Sequence, residues 1–82
     1  MEKKKLAKDL KHILKIEFDI DKSLITNDTN LLSTGIIDSH NLMEFILLIE
    51  KRYKIKINPM KISLDKLVSI EGIIYCINKL KK

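Results

Sequence analysis

The apolar positions of this 82-residue chain fall into three stretches of helical period, separated by two stretches without one. Across residues 4–16, Leu6, Leu10, Ile13 and Leu14 recur at the spacing of one helix face, with lysines between them. Residues 39–53 repeat the pattern more fully. There Leu42, Phe45, Ile46, Ile49 and Tyr53 stand at i, i+3, i+4, i+7 and i+11. Asp38 and Ser39 are natural capping residues at the start of this second helix, and Lys51 and Arg52 suit its last turn, where the helix dipole favours cations. A third helix is predicted to begin behind Ser69, with Glu71 in its first turn. Its apolar face is Ile70, Ile73, Ile74, Ile77 and Leu80.

The intervening segments differ in kind. Residues 17–37 have no clean period and hold many turn formers, among them Asp19, Asp21, Asn27, Asp28, Asn30 and Gly35. Yet Phe18, Ile20, Leu24, Ile25, Leu31, Leu32, Ile36 and Ile37 are interspersed, more apolar side chains than a solvated linker needs. The segment reads as a long loop pinned across the core, and a loop of that length in a compact domain is usually functional. Lys54 to Asn58 reads as a connector that meets Pro59, with Ile55 and Ile57 alternating with lysine over too few residues for a strand. A short helical turn is predicted over 61–67. The expected fold is therefore all-α: a small helical bundle of three main helices plus a short helix, with a long loop between helices 1 and 2. Its core is expected to hold Leu10, Ile13, Leu14, Leu42, Phe45, Ile46, Ile49, Ile73, Ile74 and Ile77.

Composition narrows the picture. Two glycines and one proline are too few to punctuate β-hairpins. The length makes residues 1–82 a single domain, burying about 60–65% of the surface its unfolded chain exposes. That supports one core but not also a deep, water-excluding active site, so no catalytic residue is assigned. No apolar leader region follows the charged N-terminus, and no apolar run is long enough to cross a membrane. Cys76 stands alone, so it forms no intramolecular disulfide and no cysteine-based zinc site. It flanks the apolar face of the third helix and reads as a small core residue. The expectation is a cytoplasmic monomer with no metal site and no stable membrane insertion.

A net charge of +5 raises the question of nucleic acid, but the charge is unevenly spread. Residues 1–15 carry six lysines against Glu2 and Asp9, a net +4, and residues 51–82 carry nine basic side chains against Asp65 and Glu71, a net +7. Residues 16–50 carry only Lys22 against seven acids, a net −6. The acidic middle holds the most informative stretch, Leu31-Leu32-Ser33-Thr34-Gly35-Ile36-Ile37-Asp38-Ser39-His40-Asn41-Leu42-Met43-Glu44-Phe45. It places a serine at the start of an amphipathic helix, directly behind a long, partly apolar loop. A side chain there projects into solvent at the end of the bundle, within reach of another enzyme. The helix N-terminus also offers unpaired N–H groups and a partial positive charge, which favour a phosphate ester.

This stretch resembles the modification site of acyl carrier proteins and of the related peptidyl and D-alanyl carriers. Asp38 and Ser39 match the first two positions of that family's Asp-Ser-Leu signature, and Leu42, Met43, Glu44, Phe45 and Ile46 match the helix behind it. Leu31-Leu32-x-x-Gly35-Ile36-Ile37 resembles the loop leading in, and Ile49 to Ile57 resembles the helix end with its aromatic residue and Ile-x-Ile step. The likeness is strongest over residues 31–57. It implies a phosphopantetheine arm, derived from coenzyme A and held covalently on Ser39, whose thiol carries acyl or aminoacyl groups as thioesters. It also implies partners: a phosphopantetheinyl transferase, a loading ligase or acyltransferase, and downstream transferases or synthases. Asp38 and Glu44 would be partner-facing acids, Met43 an apolar contact beside them, and His40 a residue flanking the arm. Two departures stand out. His40 occupies a position that is usually leucine, and Lys51, Arg52, Lys54 and Lys56 replace acids near the helix end, which favours a specialised pathway carrier over the housekeeping fatty-acid one.

Other readings of the same residues are weaker. Ser39 and His40 are adjacent on a helix and do not face each other, and no acid is expected to orient the ring, so a hydrolase dyad is not expected. Glu50 reads as solvated helix surface. A small basic helical nucleic-acid-binding module would present a Lys- or Arg-rich recognition helix, whereas His40 to Glu50 contains neither residue, so no nucleic acid is expected. A protein-interaction module lacking the attachment chemistry would have the same sequence features.

Overall fold

The computed structural model describes residues 2–58 and 62–81. Helix α1 runs Lys3–Phe18, α2 Ser39–Tyr53 and α3 Ile70–Leu80, with short 3-10 turns at Lys22–Leu24 and Leu64–Lys66. The architecture is the expected all-α bundle, and α2 has the bounds its periodicity predicts. Helix α1 is longer than its apolar stripe suggests and stops where Asp19 turns left-handed at φ 55°. Its last residue, Phe18, meets Phe45 of α2 edge to face, with ring centroids 6.2 Å apart. That contact accounts for the two added residues at the C-terminal end of α1. Pro59 and Lys61, at the end of the connector and the start of the predicted short turn, lie outside the described residues.

Helix α1 packs against both α2 and α3. All ten expected core residues are buried, the most exposed being Ile13 at 9%. Leu6, Ala7, Ile25, Leu31, Ile37, Tyr53, Ile57, Leu67, Ile70 and Cys76 extend the core. Leu80 departs from the predicted face. It is the final residue of α3 and is 39% exposed.

The long loop is pinned across the core as expected. Ile25, Leu31 and Ile37 are buried, and burying each aliphatic side chain contributes about 1.5–3 kcal/mol toward ordering the segment. Backbone groups of a loop without regular structure need partners elsewhere. Here the Leu31 N–H donates to the Val68 carbonyl at 2.8 Å, and the Glu71 N–H donates to the Asn27 carbonyl at 2.8 Å. The loop thus closes onto the start of α3.

The far end of α2 is built from polar contacts. Lys54 turns the chain back with φ 54°, and the Ile57 N–H then donates to Glu50 Oε2 at 2.7 Å. Glu50 is therefore half-buried and not the solvated residue expected. The returning connector runs beside α2, and its N–H needs an acceptor. The Tyr53 hydroxyl and the Arg52 guanidinium both donate to Asp9 of α1, the latter at 2.5 Å.

Candidate functional site

The approach to α2 is a tight turn. Asn30 Oδ1 accepts the N–H groups of Leu32 at 3.0 Å and Ser33 at 2.9 Å, and the Thr34 hydroxyl donates to the Asn30 carbonyl at 2.7 Å. Gly35 ends the turn at φ +76°, a conformation that favours glycine, and no atom lies within 4 Å of where its Cβ would be. The backbone, not the space, demands glycine there. The Ile37 N–H returns to the Leu31 carbonyl at 3.1 Å, so two buried anchors hold the turn and set where α2 begins.

Asp38 is the capping residue of α2. Its backbone is extended and its Oδ1 accepts the Asn41 N–H at 2.7 Å. Of the two residues expected to cap, only Asp38 does so. Ser39 is the first helical residue and is exposed, and among the described residues no group bonds its hydroxyl. A free hydroxyl at a helix N-terminus suits a phosphodiester, since the dipole and nearby N–H groups stabilise its negative charge. The neighbouring carboxylate is already engaged with Asn41. The residues present fit a covalent phosphate-linked arm.

His40 follows on the same exposed end. Its Nε2 lies 3.0 Å from Glu44 Oε1, with the two side chains 80% and 51% exposed. An acid does meet the ring, contrary to expectation, because positions i and i+4 stack along a helix. The pair lies in open solvent, and among the described residues nothing links the ring to Ser39. Met43 is half exposed, and so is Leu47, one turn further along the same face. Leu47 was missed by the sequence reading, although its i+4 spacing from Met43 on the polar face was visible. Asp38, Ser39, His40, Met43 and Glu44 are thus brought together at the open N-terminal half of α2. Beside them an open groove is lined by Glu17, Phe18, Glu44, Leu47, Leu48 and Lys51.

Fold and site define a class of protein: a small helical bundle that presents a free serine hydroxyl at a helix start on its surface. The family model described as the phosphopantetheine attachment site matches residues 5–74, and the chain belongs to that family. Its domains are sites of covalent phosphopantetheine attachment; they carry and do not catalyse, and they interact with enzymes such as transferases and synthases. Comparison with curated proteins finds no match, and neither does comparison with solved structures. Among the described residues, no helix is long and apolar enough to cross a membrane.

Proposed function

We propose that this protein is a carrier, residues 1–82 acting as one domain, that holds a phosphopantetheine arm on Ser39 and passes acyl or aminoacyl thioesters between enzymes of a cytoplasmic biosynthetic pathway. The observation that carries this reading is the division of labour at the start of α2. Asp38 takes the capping bond, and Ser39, one residue on, keeps an exposed and unpartnered hydroxyl.

Each residue then has a role. Ser39 supplies the oxygen of the phosphodiester, and the helix N-terminus stabilises the resulting anion. When bound, the arm supplies a thiol on a flexible tether. Asp38 and Glu44 present negative charge beside the attachment point, Met43 presents apolar surface, and His40, next to the arm, meets Glu44 in open solvent. Docking read through exposed charges gives fast association and easy release, which a carrier visiting several enzymes needs.

Intact mass after incubation with coenzyme A and a promiscuous phosphopantetheinyl transferase tests this. Wild type gains one phosphopantetheine and Ser39→Ala gains none. Folded wild-type protein that stays unmodified with several transferases overturns the reading.

A further inference from the structure

The exposed face of α2 changes sign along its length. No lysine or arginine occurs between residues 23 and 50, and no acid between residues 51 and 64. At 100° per residue, Ser39, His40, Met43, Glu44, Leu47 and Lys51 fall within about 140° of arc, so they form one strip. The strip reads acidic at Glu44, apolar at the half-exposed Met43 and Leu47, and basic at the exposed Lys51, while Asp38 and Lys54, the residues that flank the helix, add to the acidic and the basic end respectively. From Ser39 to Lys54 it rises about 22 Å.

The basic end is not consumed internally. Arg52 is held by Asp9 and Lys3 by Glu71, but neither Lys51 nor Lys54 pairs with an acid among the described residues. The same pole continues into an open groove where Lys5, Lys54 and Lys81 converge around the Arg52–Asp9 pair, with Glu2 as the other acid in its lining. Unpaired charges of one sign gathered at the end of a docking strip favour a counter-surface of opposite sign. A uniformly basic partner surface would be repelled there.

We infer that the enzymes docking on α2, the modifying transferase first among them, carry an acidic patch opposite Lys51 and Lys54. Along the helix, Lys51 lies about 10 Å from Glu44 and about 20 Å from Asp38, and these distances set the spacing between that patch and the basic groups that meet the two acids. The inference rests on the carrier reading. Such a bipolar strip can be read in one direction only, so it fixes which end of α2 enters the partner's active site. A polyanion fits less well, because a uniformly negative nucleic acid or lipid surface would be repelled at the acidic end of the strip.

The test is the rate of modification by the source organism's phosphopantetheinyl transferase with coenzyme A, for wild type, Lys51→Gln/Lys54→Gln and Lys51→Glu/Lys54→Glu. Circular dichroism checks that each is folded. Both lysines are exposed, so both variants should retain the fold. At low salt the glutamine pair should lose about threefold in kcat/KM and the glutamate pair about tenfold, through KM, with the gap closing near 0.5 M salt as screening shortens to about 4 Å. A glutamate pair modified within twofold of wild type overturns the inference and leaves the carrier reading standing. Wild type that is not modified at all removes both. Binding of wild type to duplex DNA or to phosphatidylglycerol vesicles at about 0.15 M salt, lost in the glutamate pair, reassigns the basic pole to a polyanion and overturns the inference.

Discussion

Helices α2 and α3 both have a serine at their start, and the two are used in opposite ways. Ser69 is half-buried and caps α3 through its hydroxyl, which accepts the Gly72 N–H at 3.1 Å. Everything around it is closed. The loop bonds to Val68 and Glu71, and a Cβ on Gly72 would lie 1.9 Å from the Lys66 carbonyl oxygen. At α2 the cap is shifted one residue earlier, onto Asp38, and Ser39 is left exposed with its hydroxyl free. A serine at a helix start is structural when it is itself the cap, and becomes available when a carboxylate before it takes that bond.

The largest effect should come from exchanging the two serines' fates. Ser39→Ala should abolish phosphopantetheine gain in an intact-mass assay while leaving stability within about 0.5 kcal/mol of wild type. Ser69→Ala should do the reverse, with modification intact and about 1 kcal/mol of stability lost in urea unfolding. The comparison would break if both serines mattered equally to either readout. Gly72→Ala probes the closed start directly. The added methyl has backbone, not a flexible side chain, in its way, so a loss of about 3 kcal/mol or more is expected. The equivalent change at Gly35 meets no atom within 4 Å but keeps the positive φ, so its cost should be the smaller one, about 1 kcal/mol.

Asp38→Ala should remove the α2 cap and lower stability by about 1 kcal/mol, whereas Asp38→Asn keeps an acceptor oxygen and should restore most of it. Modification rates of the two variants then separate the carboxylate's charge from its capping bond. The smallest effect lies at the other end of α2. Burial, together with the bond to Asp9, pushes the Tyr53 hydroxyl up to about 12. The folded state therefore favours the protonated ring. The stability this contributes is complete below about pH 10 and is lost as pH rises toward 12. Tyr53→Phe should flatten that part of the urea-midpoint profile relative to wild type.

Much of this was legible along the chain. The helical period placed α2 at its observed bounds and identified ten core residues, all of them buried. The stretch from Leu31 to Phe45 carried the expectation that Ser39 is the attachment residue. These features are local: a helix face repeats every few residues, and a turn is written in Asn30, Gly35 and Asp38 themselves.

Only the tertiary structure decided the rest. Asp38 and Ser39 are both good capping residues, and which of them accepts the Asn41 N–H depends on where the anchors Leu31 and Ile37 set the chain. Glu50 read as surface because nothing nearby in sequence shows that the connector returns to place Ile57 N–H on its carboxylate. The ties from Asn27 and Leu31 to the start of α3 join segments some forty residues apart. Such pairs exist only once distant elements have met, because an unpaired backbone group is satisfied by whatever packing brings beside it, and no short-range pattern records that meeting.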